Sequence, residues 1–495
     1  MTTAKPLPSF IWCIFDGLRR DMITADIAPN LRAFIDAGSD FPSSRCVFPS
    51  VTRVNATAMA CGAAPGVTGV VANKLFDPKI FSDKLMHTGL HDDIIAAEQA
   101  YDGRFVAAPS LGDILAGHGL KMAVVSTGSA GTTHLLNPRA AALGSVVLCV
   151  SDWRASKPAD YATSVLERFG PIPPAAMPNA ARIQLQTDMI IEAVLPEVAP
   201  DVLVVWFSDP DSTYHYCGIG SPESVSAIRN ADAQFGRILA HRNSATDAER
   251  CQVIVCSDHG LVTARERIEV KPRMREAGIR VGSSFVDGNA LAGSAGYYGA
   301  LRVRPGEESQ LRRAAQWLLE QPWCGPVFTP GGNGLLGGIP GTLDRALLAI
   351  EHERVPELYY VMAADDRPDS WGRPGSCYYD SSEVPEGGAT HGGLHRIEMN
   401  NLVALGGSAF RSGYASPWPA SHTDIVPTIL GQLGITPPAS VTGRALGEAL
   451  AASSAEPPPP QTIHCVSESP RRRQQLNLWR VGTSTYIDSG WVEPA

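Results

Sequence analysis

Asp211 and His215 stand four residues apart in Asp209-Pro210-Asp211-Ser212-Thr213-Tyr214-His215, directly after an apolar run. A turn there brings a carboxylate and an imidazole to one ion, although Asp-Pro and Asp-Ser also suit plain turns and caps. Asp258-His259-Gly260 repeats the combination after another apolar run, with a glycine that permits a tight turn. Asp16-Gly17 closes the first such run, and Thr390-His391-Gly392 sets a histidine in a glycine-rich loop. Each piece alone also reads as a turn, a cap or a loop histidine. Together they supply three Asp and three His, and zinc takes carboxylate oxygen and imidazole nitrogen. Two ions about 4 Å apart stabilise both the attacking and the leaving oxygen of an in-line displacement.

Such chemistry also calls for a hydroxyl whose proton a cation makes easier to lose. Thr52 lies in Pro49-Ser50-Val51-Thr52-Arg53-Val54-Asn55, and the following Ala56-Thr57-Ala58-Met59-Ala60-Cys61 has helical composition. Thr52 is therefore expected near a helix N-terminus, where negative charge is favoured. A plain N-cap threonine is the alternative reading.

The elements that position these residues repeat one pattern, an apolar, β-branched run ending in Asp, Ser or Gly. Residues 10–15 end at Asp16-Gly17, 122–125 at Ser126-Thr127-Gly128, 202–207 at Ser208-Asp209, and 253–256 at Ser257-Asp258. Such runs predict strands buried on both faces, as in a parallel sheet. Residues 183–195 and 225–239 have helical period, with Val225, Ile228, Phe235 and Leu239 on one face. Alternating strand and helix predicts an α/β sandwich whose ligands gather beyond the carboxyl ends of the strands.

From residue 271 to 373 the texture changes to glycine-rich stretches, a hairpin-like 297–303 and a helical 307–319, read as an inserted α+β cap. Residues 1–270 and 374–455 then form the catalytic domain, with a late helix over 424–433. The run Pro457-Pro458-Pro459-Pro460 reads as a stiff linker, and 476–481 with 485–487 as a C-terminal hairpin within 456–495.

A length of 495 residues fits one large core plus an insert. The net charge of −9 provides no global basic field, so a nucleic acid polymer is not an expected partner. Arg471, Arg472 and Arg473 read as a solvated run. Met1-Thr2-Thr3-Ala4-Lys5-Pro6 leads into an apolar run too short to span a bilayer and without a small-residue cleavage site, so no membrane association is expected. Ten cysteines without paired spacing point to reduced thiols and a cytoplasmic location, with an export route as the alternative.

In their order, these motifs resemble the type I phosphodiesterases and nucleotide pyrophosphatases of the alkaline phosphatase superfamily. The matching blocks are Asp16-Gly17, Thr52, and Gly62-Ala63-Ala64-Pro65-Gly66-Val67-Thr68-Gly69-Val70-Val71-Ala72-Asn73, followed by Pro210-Asp211 to His215 and Ser257 to Gly260. Thr390-His391-Gly392 and Thr423-Asp424-Ile425-Val426-Pro427 continue the series, which covers about half the chain. The resemblance implies an alkaline phosphatase-like sandwich with a mostly parallel central sheet. It assigns Asp211, His215 and His391 to one zinc, and Asp16, Asp258, His259 and the Thr52 oxygen to the other, with other divalent ions as alternatives. Asn73 would donate to a nonbridging phosphoryl oxygen, its alternative being a turn residue. The implied reaction is hydrolysis of a small phosphodiester or pyrophosphate through a covalent phosphothreonine.

His395, four residues after His391, is an alternative last ligand, and the Thr-His-Gly context favours His391. Arg53 could assist a more highly charged monoester, against the commoner case of an outward-packed arginine. His134 lies in a loop beside the expected pocket, as a substrate contact or a structural residue. The Cys/Ser-x-Pro-x-Arg setting of sulfatases does not surround Thr52. Phosphonoacetate hydrolases are expected to present lysines where this chain has Ser126-Thr127-Gly128-Ser129-Ala130-Gly131. A phosphonoacetate-type or phosphomonoester activity is the runner-up, and a binding protein that has lost catalysis is the alternative from another class.

Overall fold

A computed structural model of the chain describes residues 9–453 and 456–494. The N-terminal stretch, residues 454–455 at the expected linker and Ala495 lie outside them. Eight strands form the central sheet: β1 (Ser9–Phe15), β2 (Ser39–Asp40), β3 (Met122–Ser126), β4 (Val146–Cys149), β5 (Val202–Phe207), β6 (Cys251–Cys256), β7 (Val403–Gly406) and β8 (Tyr414–Ala415). They lie side by side in the order β8, β2, β7, β6, β1, β5, β3, β4. All neighbours are parallel except where β7 runs against β6 and β2.

Side chains alternate between two helical layers, as pleating requires. Ile11, Cys13 and Phe15 of β1 pack with Leu203, Val205 and Phe207 of β5 beneath Ile183, Phe235 and Ile238 of the helices. Phe10, Trp12 and Ile14 face the opposite layer, where Ala56, Met59, Ile425 and Ile429 cover them. Burying each large apolar side chain stabilises the fold by about 1.5–3 kcal/mol, which is why these strands carry almost no polar residue before their ends. Register then sets the site: Phe15 aligns with Phe207, and Ile14 with both Trp206 and Cys256. Asp16, Ser208 and Ser257 therefore leave the sheet at one edge.

Within residues 271–373 a six-stranded sheet runs in the order Val281–Gly282, Leu291–Ser294, Tyr298–Val303, Leu358–Met362, Cys324–Thr329, Leu343–Asp344. The apolar face of the helix Glu308–Leu319 covers it through Leu311, Ala314, Ala315 and Leu318. The segment 297–303, expected as hairpin-like, is one strand, Tyr298–Val303, with a partner on each side. The strands leading into and out of this region, Val262–Arg267 and Ser376–Tyr379, pair in parallel, so residues 271–373 connect two neighbouring strands.

The C-terminal segment forms three antiparallel strands, Gln461–Ser469, Arg472–Val481 and Ser484–Pro494. The expected hairpin occupies the second and third. The first, with its exposed alternate residues, carries too little apolar pattern to be read as a strand. Leu476, Leu478 and Ile487 pack against the region of Phe48 and Tyr359.

Tyr486 donates to Asp424 Oδ2 at 3.0 Å, and the amides of Ser421 and Arg444 hold the same carboxylate at 2.9 and 2.8 Å. Burial nonetheless pushes Asp424 up to about 6, from an unfolded value of about 3.9. A raised folded pKa contributes stability that is complete below the unfolded value and lost as pH rises through the folded one. Denaturant stability of the wild type is therefore expected to fall between about pH 4 and 7 by up to roughly 3 kcal/mol more than that of Asp424→Asn. Parallel slopes for the two proteins would remove Asp424 as the cause.

Candidate active site

The turn after β1 depends on Gly17, whose φ is +67° and whose missing Cβ would lie 2.9 Å from that of Asp211. Only glycine accommodates both demands. Its N–H donates to Asp258 Oδ1 at 2.9 Å, and His259 N–H reaches the same oxygen at 3.0 Å, leaving Asp258 Oδ2 buried without a hydrogen bond. Trp206 Nε1 holds Asp16 Oδ2 at 3.1 Å and leaves Oδ1 likewise unpartnered. Asp211 keeps Oδ2 at 3.2 Å from His215 Nε2, with Oδ1 unpartnered and 3.5 Å from His391 Nε2. Each carboxylate thus has one oxygen restrained and presents the other.

The histidines are oriented by one shared device. His215, His259 and His391 each donate Nδ1–H to a backbone carbonyl, of Ala389 at 2.7 Å, Gly260 at 3.0 Å and Ser50 at 2.8 Å. Each therefore turns Nε2 and its lone pair towards the carboxylates, as metal-ligating histidines do. His259 Nε2 lies 3.1 Å from Asp258 Oδ2 and 3.8 Å from Asp16 Oδ1, and its ring stacks on that of His391 at 3.8 Å.

Two ligand groups come within 4.8 Å, one of Asp211, His259 and His391 and one of Asp16, Asp258 and His259. His259 thus stands in both, whereas the expected division gave it to one ion alone. His215 meets Asp211 from its other oxygen and lies outside these two groups. His395 is elsewhere, capping the short helix Arg396–Met399 and facing Asp366 at 3.3 Å. His134 pairs with Glu98 at 2.8 Å.

The electrostatics of the cluster call for a cation. Burial, then the charges of Asp258 and Asp211, hold the Asp16 carboxyl well above its ordinary range. Burial also works against an ionised Asp211, but His215, His391 and His259 outweigh it and keep this carboxyl low. His391 is pushed well down by burial and by His259. Three unpartnered carboxylate oxygens and three directed Nε2 atoms form a hard oxygen and nitrogen donor set, which fits a divalent metal ion.

Thr52 opens the helix Thr52–Cys61, with Val51 as the N-cap residue. Its hydroxyl therefore does not serve as a cap. Instead Oγ1 lies 3.3 Å from His259 Nε2, almost completely buried, at the positive end of the helix. Asn55, one turn on, donates to the carbonyls of Pro49 and Val51 and accepts from Val47 N–H, which holds the approach to Thr52. Asn73 Oδ1 accepts the Arg53 N–H at 3.1 Å, while its Nδ2 has no partner among the described residues.

Tyr298 and Glu398 are supporting residues that pattern reading missed. Tyr298 comes from the six-stranded sheet, and its hydroxyl accepts the Asn73 N–H at 3.1 Å while its ring covers Gly392. Glu398 is fully buried beneath the His391 loop. It accepts from Gly392 N–H, Gly393 N–H, His395 N–H, Ser50 Oγ and Tyr297 Oη, so it ties that loop to the one before Thr52. The capping spacing from His395 to Glu398 was the one available signal for it. Tyr298→Phe leaves the Asn73 amide without an acceptor, about 1 kcal/mol, and is expected to lower kcat/KM roughly 3- to 10-fold with the melting temperature nearly unchanged. Unaltered kinetics would show that Asn73 is positioned without it.

The sequence profile of the family described as type I phosphodiesterase / nucleotide pyrophosphatase matches residues 11–316. Ectonucleotide pyrophosphatase/phosphodiesterase family member 7 of Homo sapiens is 39% identical over 69 residues, a match spanning 14% of this chain and 15% of that protein. Among solved structures, murine ectonucleotide pyrophosphatase / phosphodiesterase 5 superposes with a TM-score of 0.61 at 16% identity, covering 90% of this chain and 100% of that one. An inactive threonine-to-alanine variant of the murine protein, in complex with AMP, gives 0.62 at 17% with the same coverage. The human counterpart gives 0.61 at 16%, again over 90% and 100%. At these identities the likeness establishes the shared α/β fold.

Proposed function

We propose that this chain, which belongs to the type I phosphodiesterase / nucleotide pyrophosphatase family, hydrolyses small phosphodiesters or pyrophosphates through a covalent intermediate on Thr52. The observation that carries this reading is a non-capping threonine hydroxyl, buried at a helix N-terminus and 3.3 Å from His259 in the donor cluster. That the murine relative is inactive as a threonine-to-alanine variant in complex with AMP supports a nucleotide-type ester.

In this reading Asp211, His215 and His391 would hold one divalent cation, and Asp16, Asp258, His259 and Thr52 would hold a second, with zinc the first choice for this donor set. When bound, the cations would supply Lewis-acid stabilisation of the attacking and leaving oxygens. The chain supplies the rest. Thr52 Oγ1, after losing its proton, forms a bond to phosphorus as the leaving oxygen departs on the far side. Asn73 Nδ2 donates to a nonbridging oxygen, its amide plane fixed by the Arg53 and Tyr298 contacts. Water then cleaves the phosphothreonine and restores Thr52, so two inversions give net retention at phosphorus.

The expected partner is a small phosphate ester, and the net charge of −9 argues against a nucleic acid polymer. Among the described residues no helix is long and apolar enough to cross a membrane. All ten cysteines are free, which supports a reducing, cytoplasmic setting. The test compares zinc-loaded and chelator-treated protein on bis-p-nitrophenyl phosphate, p-nitrophenyl phosphate, thymidine 5′-p-nitrophenyl phosphate and phosphonoacetate. Metal-dependent turnover of a diester supports the reading. Cleavage of phosphonoacetate alone, or of nothing while metal binds, overturns it.

A further inference from the structure

Arg53 occupies a position that the fold itself does not favour. It is the second residue of the helix Thr52–Cys61, where the exposed N–H groups disfavour a cation. Its Nε is buried without a hydrogen-bond partner. Arg19 is anchored on Asp21, Arg345 on Glu351, and Arg472 on the carbonyls of Cys324 and Gly325, while the buried Arg354 stacks over the rings of Tyr101 and Phe105. Arg53 has no ion pair with any described residue.

Its guanidinium instead lies along the Gly89 loop, where a Cβ on Gly89 would sit 3.6 Å from Cζ and Nε and 3.4 Å from Ser129 Oγ. The charges of Asp16, Asp211 and Asp258 are within electrostatic reach of it. The outward packing that is usual for arginine is therefore not what this residue does. A planar fork of donors beside a phosphoryl-transfer nucleophile, with no carboxylate of its own, matches a phosphate's paired oxygens.

Building on the reading of Thr52 as nucleophile, we propose that Arg53 recognises a dianionic phosphate group of the substrate and so sets the substrate class. That group is either the transferred phosphoryl group of a monoester or the terminal phosphate of a pyrophosphate-type substrate. A simple alkyl or aryl diester carries a single negative charge and gains less from an added guanidinium.

The experiment uses the full zinc-loaded chain as wild type, Arg53→Ala and Arg53→Lys. Turnover is measured on p-nitrophenyl phosphate, ATP and bis-p-nitrophenyl phosphate, and binding of inorganic phosphate by calorimetry. Charge-assisted hydrogen bonds of this kind are worth about 10- to 100-fold. Arg53→Ala is expected to lose kcat/KM by roughly that factor more on a dianionic substrate than on the diester, and to weaken phosphate binding comparably. Arg53→Lys should recover part of the loss, since it keeps the charge without the fork. Selective loss on the monoester assigns the transferred phosphoryl group, and selective loss on ATP the terminal phosphate. Equal losses on all three substrates with lowered zinc content would mean that Arg53 only balances the carboxylates, and would overturn the inference while leaving Thr52 as nucleophile. If the wild type cleaves none of the three, the proposed function fails, and phosphate affinity alone decides on Arg53: weakened binding in Arg53→Ala upholds it and unchanged binding refutes it.

Discussion

Thr52→Ala is expected to reduce turnover by about 10³- to 10⁵-fold while the protein stays folded and metal-loaded, because on the proposed reading it removes the nucleophile and with it the covalent route. No neighbouring hydroxyl is free to replace it. Ser50 Oγ, the nearest in sequence, donates within the Gly393 and Glu398 contacts at 2.9 and 3.2 Å. The substitution should be mild for stability, within about 1 kcal/mol, since the hydroxyl caps no amide and alanine is the best helix former. Thr52→Ser keeps the oxygen but loses the methyl group that restrains its rotamer, so it should retain activity well above the alanine variant. Burst kinetics, melting temperature and metal content together check the prediction. An alanine variant that turns over within tenfold of wild type would remove the nucleophile assignment.

Removal of metal should have an effect as large and carries a sign that can be tested separately. Chelation is expected to abolish hydrolysis and lower the melting temperature, with zinc restoring both, because a ligand that binds only the folded state stabilises it by mass action. Asp258→Asn should act in opposite directions on the two forms. With metal it removes a ligand, so roughly 10²-fold or more of activity is expected to disappear. Without metal it removes the Asp258 charge that works against ionisation of the buried Asp16, so the chelated variant should be more stable than the chelated wild type by about 0.5–2 kcal/mol. Such a crossover separates a ligand from a merely structural aspartate, which would destabilise both forms. Hydrolysis that survives complete metal removal would end the metal-dependent reading.

Much of this site is legible in the chain because its information is local. Each of β1, β5 and β6 is a run of residues that must be apolar on both faces, so the first polar residue after each marks a strand end. The termini of parallel neighbours fall on one edge, which brings Asp16, Asp211 and Asp258 to a common place without further instruction. The threonine before a helical stretch is equally local. Beyond that, the family resemblance supplied roles that spacing alone left open.

Other features depend on contacts between residues far apart in the chain, which leave no periodic trace. Gly17 and Asp258, 241 positions apart, meet only because β1 pairs with β6. The place of His259 between two ligand groups, the hydrogen bond from Asn73 N–H to Tyr298 of the six-stranded sheet, and the five donors converging on Glu398 arise in the same way. The first C-terminal strand, Gln461–Ser469, was hidden for a related reason, since an edge strand with one solvated face needs little apolar pattern of its own. The sequence by itself therefore determined which groups could do the chemistry and on which edge of the sheet they lie. Only the tertiary structure decided which oxygens and nitrogens face one another, because hydrogen-bond direction and close approach are set by packing between distant segments rather than by the identity of any residue.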